Sequence, residues 1–163
     1  MKIKTMEDLF LHQLQDMYTA EKKILEALPT VAKEAEAPEL KQALTKHRDE
    51  TQNHVRRLEQ VLHSVGAKPK GVKCKAIEGI LEESEEQMEE IEDKAVCDAA
   101  IVASAQSVEH YEIGRYGTLI AWAEQLGHKD AIKLLKETLD EEKRADKTLS
   151  KIAEEKVNRA AAA

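Results

Sequence analysis

Acidic side chains interrupt the apolar stripes of this sequence at positions where a helical core is normally aliphatic. Glu21 lies four residues after Met17 and three before Ile24, so an α-helix would place its carboxylate on the apolar side. Glu112, four residues after Val108, has the same relation to a second stripe. Buried carboxylates are costly unless a cation compensates them, so these positions indicate chemistry as well as packing.

Two other segments each carry a pair of candidate ligands one helical turn apart. Glu50 and His54 are separated by four residues, and Glu142 and Asp146 have the same spacing. A spacing of four keeps both side chains on one helix face, about 40° apart. Carboxylates with one imidazole suit Fe, Mn or Zn, and bridging carboxylates can hold two such ions a few ångströms apart.

The glutamates are matched in their distance from two predicted turns. Glu21 and Glu50 are 29 residues apart, and the midpoint lies beside the first turn. Glu112 and Glu142 are 30 residues apart, with their midpoint in the second turn. Residues equidistant from the turn of an antiparallel hairpin lie side by side, here about 20 Å from each bend. We therefore expect four carboxylates near one level of the bundle.

Two divalent ions would nearly neutralise this acidic group. They bring four positive charges, against the five negative charges of four glutamates and one aspartate. The sequence thus predicts a dinuclear site, with iron as the first candidate and manganese or zinc as alternatives. The predicted ligands are Glu21, Glu50, His54, Glu112, Glu142 and Asp146.

Long amphipathic stretches supply these residues, and the helix-breaking Pro and Gly residues between the stretches predict the fold. The first stretch runs from about Thr5 to Ala35, and Pro29 inside it should kink or interrupt the helix. The second begins at Pro38, which suits the first turn of a helix, and ends near Val65.

A long connection separates this hairpin from the next one. It covers about residues 67–94 and carries a short acidic helix, predicted for residues 76–93. The third long helix ends at Gly127, and the fourth runs into an alanine-rich tail, about 158–163, that we expect to fray. The prediction is an all-α, antiparallel four-helix bundle with one long crossover, forming a single domain over residues 1–163.

Composition and charge exclude several classes of function. Helix formers are abundant, whereas Gly numbers six, Pro three and aromatic residues 3%. The formal net charge of -7 argues against nucleic acid and anionic membrane surfaces as partners and favours metal cations. No apolar run approaches the roughly 18 residues of a membrane span, and the N-terminal segment lacks a signal-peptide core. We expect a cytoplasmic protein.

The two cysteines, Cys74 and Cys97, form no Cys-x-x-Cys pair that could hold zinc or an iron–sulfur centre. We interpret both as ordinary thiols, and the sequence leaves open a disulfide between them.

The sequence resembles two nested groups of proteins. Its pattern is similar to the ferritin-like two-metal carboxylate proteins, whose bundles supply glutamates and Glu-x-x-His pairs from four helices. More closely, it resembles the YciE/YciF family of bacterial stress proteins over almost its whole length, from Glu7 to about Asn158. The strings that carry this resemblance are Glu109–Ile113, Tyr116–Leu119 and Leu139–Glu142.

The resemblance implies a rubrerythrin-like, ferritin-like bundle that forms a homodimer and serves in stress responses, without an established reaction. It implies the same six ligands as the spacing does. The chain departs from the wider pattern in having no strict Glu-x-x-His, since its pairs are Glu50-x-x-x-His54 and Glu142-x-x-x-Asp146. Asp in place of His makes the two halves of the site unequal.

Two functional hypotheses follow. The first is a dinuclear metal protein that reacts with peroxide or oxygen, as a di-iron or di-manganese oxidase or peroxidase, or that buffers metal during stress. The second is a non-catalytic helical dimer, an interaction module with a vestigial metal site.

For single residues, structural roles remain as alternatives to metal binding. Each Glu could pair with a neighbouring cation, and Glu109 could be a spare ligand or an exposed ion-pair partner. For Tyr18, Tyr111 and Tyr116, core packing competes with a place beside the site.

Overall fold

The computed structural model describes residues 2–163, and every regular element in that range is helical. The predicted all-α bundle is therefore confirmed. The helices are α1 (Met6–Glu34), α2 (Pro38–Ser64), α3 (Lys75–Glu90), α4 (Lys94–Leu126) and α5 (Lys129–Ile152), followed by a π-helical segment (Ala153–Val157) and α6 (Asn158–Ala161).

Local signals in the sequence account for the helix ends. Thr5 caps α1 through a reciprocal pair of hydrogen bonds with Asp8. The Asp93 side chain accepts a hydrogen bond from the amide of Val96 at the start of α4. Gly127 ends α4 with a left-handed φ of 78°, which a residue with a side chain rarely adopts.

Helix α1 continues through Pro29, where the sequence predicted a kink or interruption. Proline lacks an amide hydrogen, so one intrahelical hydrogen bond is lost there. Leu28 beside it is buried in the core, whereas Pro29 itself is exposed. Packing of the apolar face on both sides of Pro29 keeps the helix continuous.

The turn between α1 and α2 is tied to the second hairpin by Asp98 of α4. The Asp98 carboxylate accepts hydrogen bonds from the amides of Glu36 and Ala37, both at 2.8 Å. Asp98 is buried, with 4% of its surface exposed. A buried carboxylate is stabilised by such donors, since they replace the water it gives up.

The crossover packs α3 against α1 and α4. Directly before α3, Cys74 is buried, and its thiol lies 3.3 Å from both the Asp16 carboxylate and the Tyr111 hydroxyl. Cys74 and Cys97 are both free thiols, so the disulfide that the sequence left open is not formed.

One cluster of buried aliphatic and aromatic side chains runs through the bundle and includes residues of α1 to α5. The segment predicted to fray is helical from Asn158 to Ala161. Within residues 2–163, none of the helices combines the length and the apolar character required to cross a bilayer.

Candidate metal centre

Six acidic and imidazole side chains meet in the middle of the bundle, where a core is normally apolar. Each has 8% or less of its surface exposed, and Glu21, His54, Glu112 and Glu142 have 0%. They come from α1, α2, α4 and α5, so all four bundle helices contribute. We name them the carboxylate–histidine cluster: Glu21, His47, His54, Glu109, Glu112 and Glu142.

The cluster divides into two overlapping groups of potential ligand atoms. One contains His47, Glu109, Glu112 and Glu142, and the other contains Glu21, His54 and Glu142. Within each group the ligand atoms lie no more than 4.8 Å apart. Because Glu142 belongs to both groups, the geometry resembles two metal positions joined by a bridging carboxylate, with one imidazole for each.

His54 presents one ring nitrogen to the cluster. Its Nδ1 lies 2.8 Å from Glu142 Oε1 and 3.4 Å from Glu21 Oε1. Its Nε2 lies 2.8 Å from Glu141 Oε2, and Glu141 is held in turn by two hydrogen bonds from Arg57 at 2.7 and 2.9 Å. A carboxylate on the outer nitrogen fixes the ring and leaves Nδ1 directed at the cluster, as is usual for metal-binding histidines.

His47 occupies the other group. Its Nε2 lies 3.1 Å from Glu109 Oε1 and 3.9 Å from Glu142 Oε2. Its Nδ1 faces Glu50 Oε2 at 3.9 Å, beyond hydrogen-bond range. His47 is therefore less firmly oriented than His54.

Many polar atoms of the cluster are buried without making a hydrogen bond of normal geometry, although some lie close to one another, as His54 Nδ1 and Glu142 Oε1 do at 2.8 Å. Both carboxylate oxygens of Glu112 and both of Glu142 are in this state, and so is Nδ1 of His54. Buried polar groups in folded proteins are almost always satisfied, so such a concentration requires a specific cause. Divalent cations would satisfy these atoms, and the four carboxylates of the cluster match the four positive charges of two such ions. The residues present thus fit a dinuclear metal site.

The protonation of the cluster shows how strongly these charges interact. Burial, reinforced by the nearby charge of Glu142, holds the pKa values of Glu109 and Glu112 well above the usual range of a glutamate. Burial by itself would raise the pKa of Glu142 too, but the proton donors Glu109 and His54 beside it lower it overall. Burial disfavours the His54 cation, yet the charge of Glu21 and contacts with Glu141 and Glu142 raise its pKa to about 12. Without a bound cation, protons take over part of the charge compensation.

Tyr116 completes the surroundings of Glu21. Its side chain is fully buried, and its hydroxyl donates a short hydrogen bond to Glu21 Oε1. Burial, followed by the charges of Glu21 and Glu112, raises the pKa of Tyr116 well above its normal value. Tyr116 therefore stays a neutral donor. Tyr116 therefore lies beside the cluster, which is one of the two places that the sequence left open for it. The hydroxyls of Tyr18 and Tyr111 donate elsewhere, to Glu59 and Asp16.

The structure brings together four of the six ligands predicted from the sequence: Glu21, His54, Glu112 and Glu142. Glu50 lies on the flank of α2, half-buried, with its carboxylate 3.4 Å from Lys46 Nζ. Asp146 lies between α4 and α5, where it contacts Gln106 at 3.1 Å and His110 at 3.0 Å. Among the residues that the structure describes, neither Glu50 nor Asp146 belongs to a group of ligand atoms, so their role as ligands stays a prediction.

His47 and Glu109, which are not among the six predicted ligands, belong to the cluster, whereas Glu50 and Asp146 do not. The sequence carried a signal for both, because His47 lies on the apolar stripe seven residues before His54, and Glu109 lies one turn before Glu112 on the buried face of α4. The sequence leaves two alternatives for Glu109, a spare ligand or an exposed ion-pair partner. It is 1% exposed, which favours the first alternative.

Fold and site together define a class: helical-bundle proteins with a buried cluster of carboxylates and imidazoles shared among four helices. The comparisons assign the family. The model of the family "Domain of unknown function (DUF892)" matches residues 5–162, and the chain belongs to that family. It is 48% identical to Protein YciF of Escherichia coli strain K12 over 162 residues, 99% of this chain and 98% of YciF.

Solved structures of relatives have the same fold. The crystal structure of the E. coli stress protein YciF matches with a TM-score of 0.91 at 48% identity, covering 96% of this chain and 99% of that one. YcfI of Rhodopseudomonas palustris, to which a structural role has been given provisionally, matches with a TM-score of 0.90 at 54% identity, covering 91% and 95% of the two chains. The resemblance to the YciF group of stress proteins is thereby confirmed.

Proposed function

We propose that the protein binds two divalent metal ions in the carboxylate–histidine cluster and uses them during stress. The observation that carries this proposal is the concentration of buried, unpartnered ligand atoms in two groups that share Glu142. Iron is the first candidate, with manganese and zinc as alternatives, because mixed carboxylate and imidazole donors suit these ions. The likeness to YciF, which is described as a stress protein, supports the physiological setting.

The residues of the cluster would have different roles at the proposed centre. Glu142, which belongs to both groups, would serve both ions, while Glu109 and Glu112 would help to hold one and Glu21 the other. His54 would be kept in position by Glu141 and Arg57, as the short contacts among the three residues indicate. A bound pair of redox-active ions would supply electron transfer to peroxide or oxygen, and a redox-inert pair would serve as a metal reserve.

The metal content of protein purified without chelators tests the proposal. We expect about two ions per chain, less than one in Glu142→Gln, and an unchanged number in Asp140→Asn, an exposed acid on the same helix. Thermal unfolding should move to lower temperature when a chelator removes the ions, because metal binding contributes folding energy. An absorbance change on adding peroxide would separate redox use from storage.

The competing proposal is a non-catalytic helical dimer with a vestigial site, in line with the provisional structural role given to YcfI. It predicts substoichiometric metal and the same unfolding temperature with and without chelator. Both proposals include a homodimer, which light scattering of the purified protein measures directly.

A further inference from the structure

An apolar cavity lies directly beside the carboxylate–histidine cluster, on the side of the α1–α2 turn. Its volume is about 80 Å³, and residues of α1 to α5 line it. A single water needs roughly 10–15 Å³ measured in this way, so the cavity can hold a small molecule. Its inner walls are aliphatic: Ile24, Leu28, Leu44, Ile101, Val108 and Leu149.

The cavity begins at the level of the cluster and extends away from it. On α1 its lining starts at Ile24, three residues after Glu21, and reaches Val31, a further rise of about 10 Å along the helix. His47 and Glu109 line the cavity and also belong to the cluster. They form its polar end, so a molecule in the cavity would contact one of the two ligand groups.

The chemistry of the walls restricts the occupant. Two charged side chains outside the cluster line the cavity, Lys46 and Glu50, and they pair with each other at 3.4 Å. The Lys46 side chain is 70% exposed, which places this pair at the rim. The remaining polar lining consists of the hydroxyl side chains of Ser84, Ser104 and Thr148, so an ion in the aliphatic part would lose its hydration without gaining a charged partner.

We propose that this cavity binds a small, uncharged, predominantly apolar molecule and holds it against the His47–Glu109 end of the cluster. That the molecule is a substrate of the metal centre rests on the function proposed above. Its binding does not, because the aliphatic walls exist whether or not the ligand groups hold metal. Apolar cavities in other proteins stay dry and bind benzene or xenon, which makes these two molecules suitable probes.

Binding is measured on the protein as purified. We expect a xenon peak between Ile24, Ile101 and Leu149 in crystals pressurised with the gas, and saturable binding of benzene by calorimetry. Ala105→Leu, which fills the cavity from α4, should remove the xenon peak and weaken benzene binding at least tenfold. Ala99→Leu is the matched control, since Ala99 is also partly buried on α4 but does not line the cavity.

Ala27→Leu fills the same space from α1 and replaces Ala105→Leu if circular dichroism shows that the latter is unfolded. The proposal would be overturned if neither probe bound in the cavity of the unaltered protein. It would also be overturned if Ala105→Leu and Ala27→Leu bound the probes as tightly as the unaltered protein does.

A second measurement separates this proposal from the proposed function. If metal is present, benzene should slow the peroxide-dependent absorbance change severalfold in the unaltered protein and leave it unchanged in Ala105→Leu. Benzene binding without two bound metal ions would contradict the metal proposal and leave the cavity standing. If two ions are bound but neither probe binds, the cavity proposal is contradicted and the metal proposal is not.

Discussion

The Nε2 atom of His54 lies 2.8 Å from the Oε2 atom of Glu141, a residue next to Glu142 in sequence but facing the other side of the imidazole. Consecutive glutamates on α5 thus flank one histidine, Glu142 at Nδ1 and Glu141 at Nε2. Arg57 fixes Glu141 with a bidentate contact, and the three residues form a chain from the surface of the bundle to the cluster. Glu141 orients His54 without belonging to a ligand group.

Glu141→Gln should weaken metal binding by roughly 10-fold or more, since carboxylates that orient metal-binding histidines typically contribute that much. The number of ions bound at saturation should stay the same, because no proposed ligand is lost. Competitive titration against a chelator of known affinity measures both quantities. An affinity equal to that of Asp140→Asn would show that Glu141 does not position His54.

Glu109→Gln and His47→Asn should weaken the binding of one ion and leave the other nearly unaffected, because both residues belong to only one of the two groups. Glu50→Gln and Asp146→Asn should retain two ions with affinity close to that of the unaltered protein. Stepwise metal titration followed by mass spectrometry of the intact protein distinguishes these cases. Loss of an ion in Glu50→Gln or Asp146→Asn would favour the ligand set predicted from spacing alone.

Tyr116→Phe should reduce the free energy of unfolding of the chelated protein by about 1–3 kcal/mol, since it removes a hydrogen bond from the buried carboxylate of Glu21. Tyr18→Phe is the control. Its hydroxyl donates to Glu59 at 3.0 Å in a less buried place, so the expected loss is about 1 kcal/mol or less. Urea unfolding of both variants gives the comparison, and equal losses would exclude a special role for Tyr116.

The stability of the chelated protein should fall as the pH rises from about 5 to about 9. Glu109, Glu112 and His54 all have raised pKa values in the folded chain. A raised pKa means that the folded state retains protons that the unfolded state releases, so the stabilisation is complete below the unfolded pKa and declines as the pH rises from there to the folded pKa. The lowered pKa of Glu141, about 2, acts only at more acidic pH, where its contribution is lost on acidification.

Thermal unfolding across this pH range in the presence of a chelator measures the effect. Glu112→Gln should show a shallower decline, since glutamine does not titrate. Bound metal should reverse the trend, because fewer protons compete for the ligands as the pH rises. A chelated protein whose stability rises from pH 5 to 9 would contradict the protonation described for the cluster.

Most of the fold follows from local signals in the sequence. Helical periodicity fixes which face of each helix is apolar, and Pro38 and Gly127 mark the two hairpin turns. For the same reason Glu21, Glu112 and His54 were correctly expected to face the core, and each is buried completely.

Membership of the cluster for the other residues depends on how neighbouring helices are rotated about their axes, which spacing within one helix does not determine. Glu50 shares a face with His54, but α2 is turned so that the stripe residue His47 points inward and Glu50 lies on the flank. On α5 the same effect leaves Asp146 beside His110 and Gln106 of α4. Only packing among four helices selects between such neighbours.

The hydrogen bonds from the α1–α2 turn to Asp98 couple the axial positions of the two hairpins, and with them the spacing of the cluster residues. Asp98 belongs to the second hairpin, and the amides of Glu36 and Ala37 belong to the first. A slip of α4 along α1 by one residue, about 1.5 Å, would break both bonds and would also draw Glu109 and Glu112 away from their counterparts on the opposite hairpin. This contact therefore helps to hold the two hairpins in axial register, some 15 to 20 Å from the cluster.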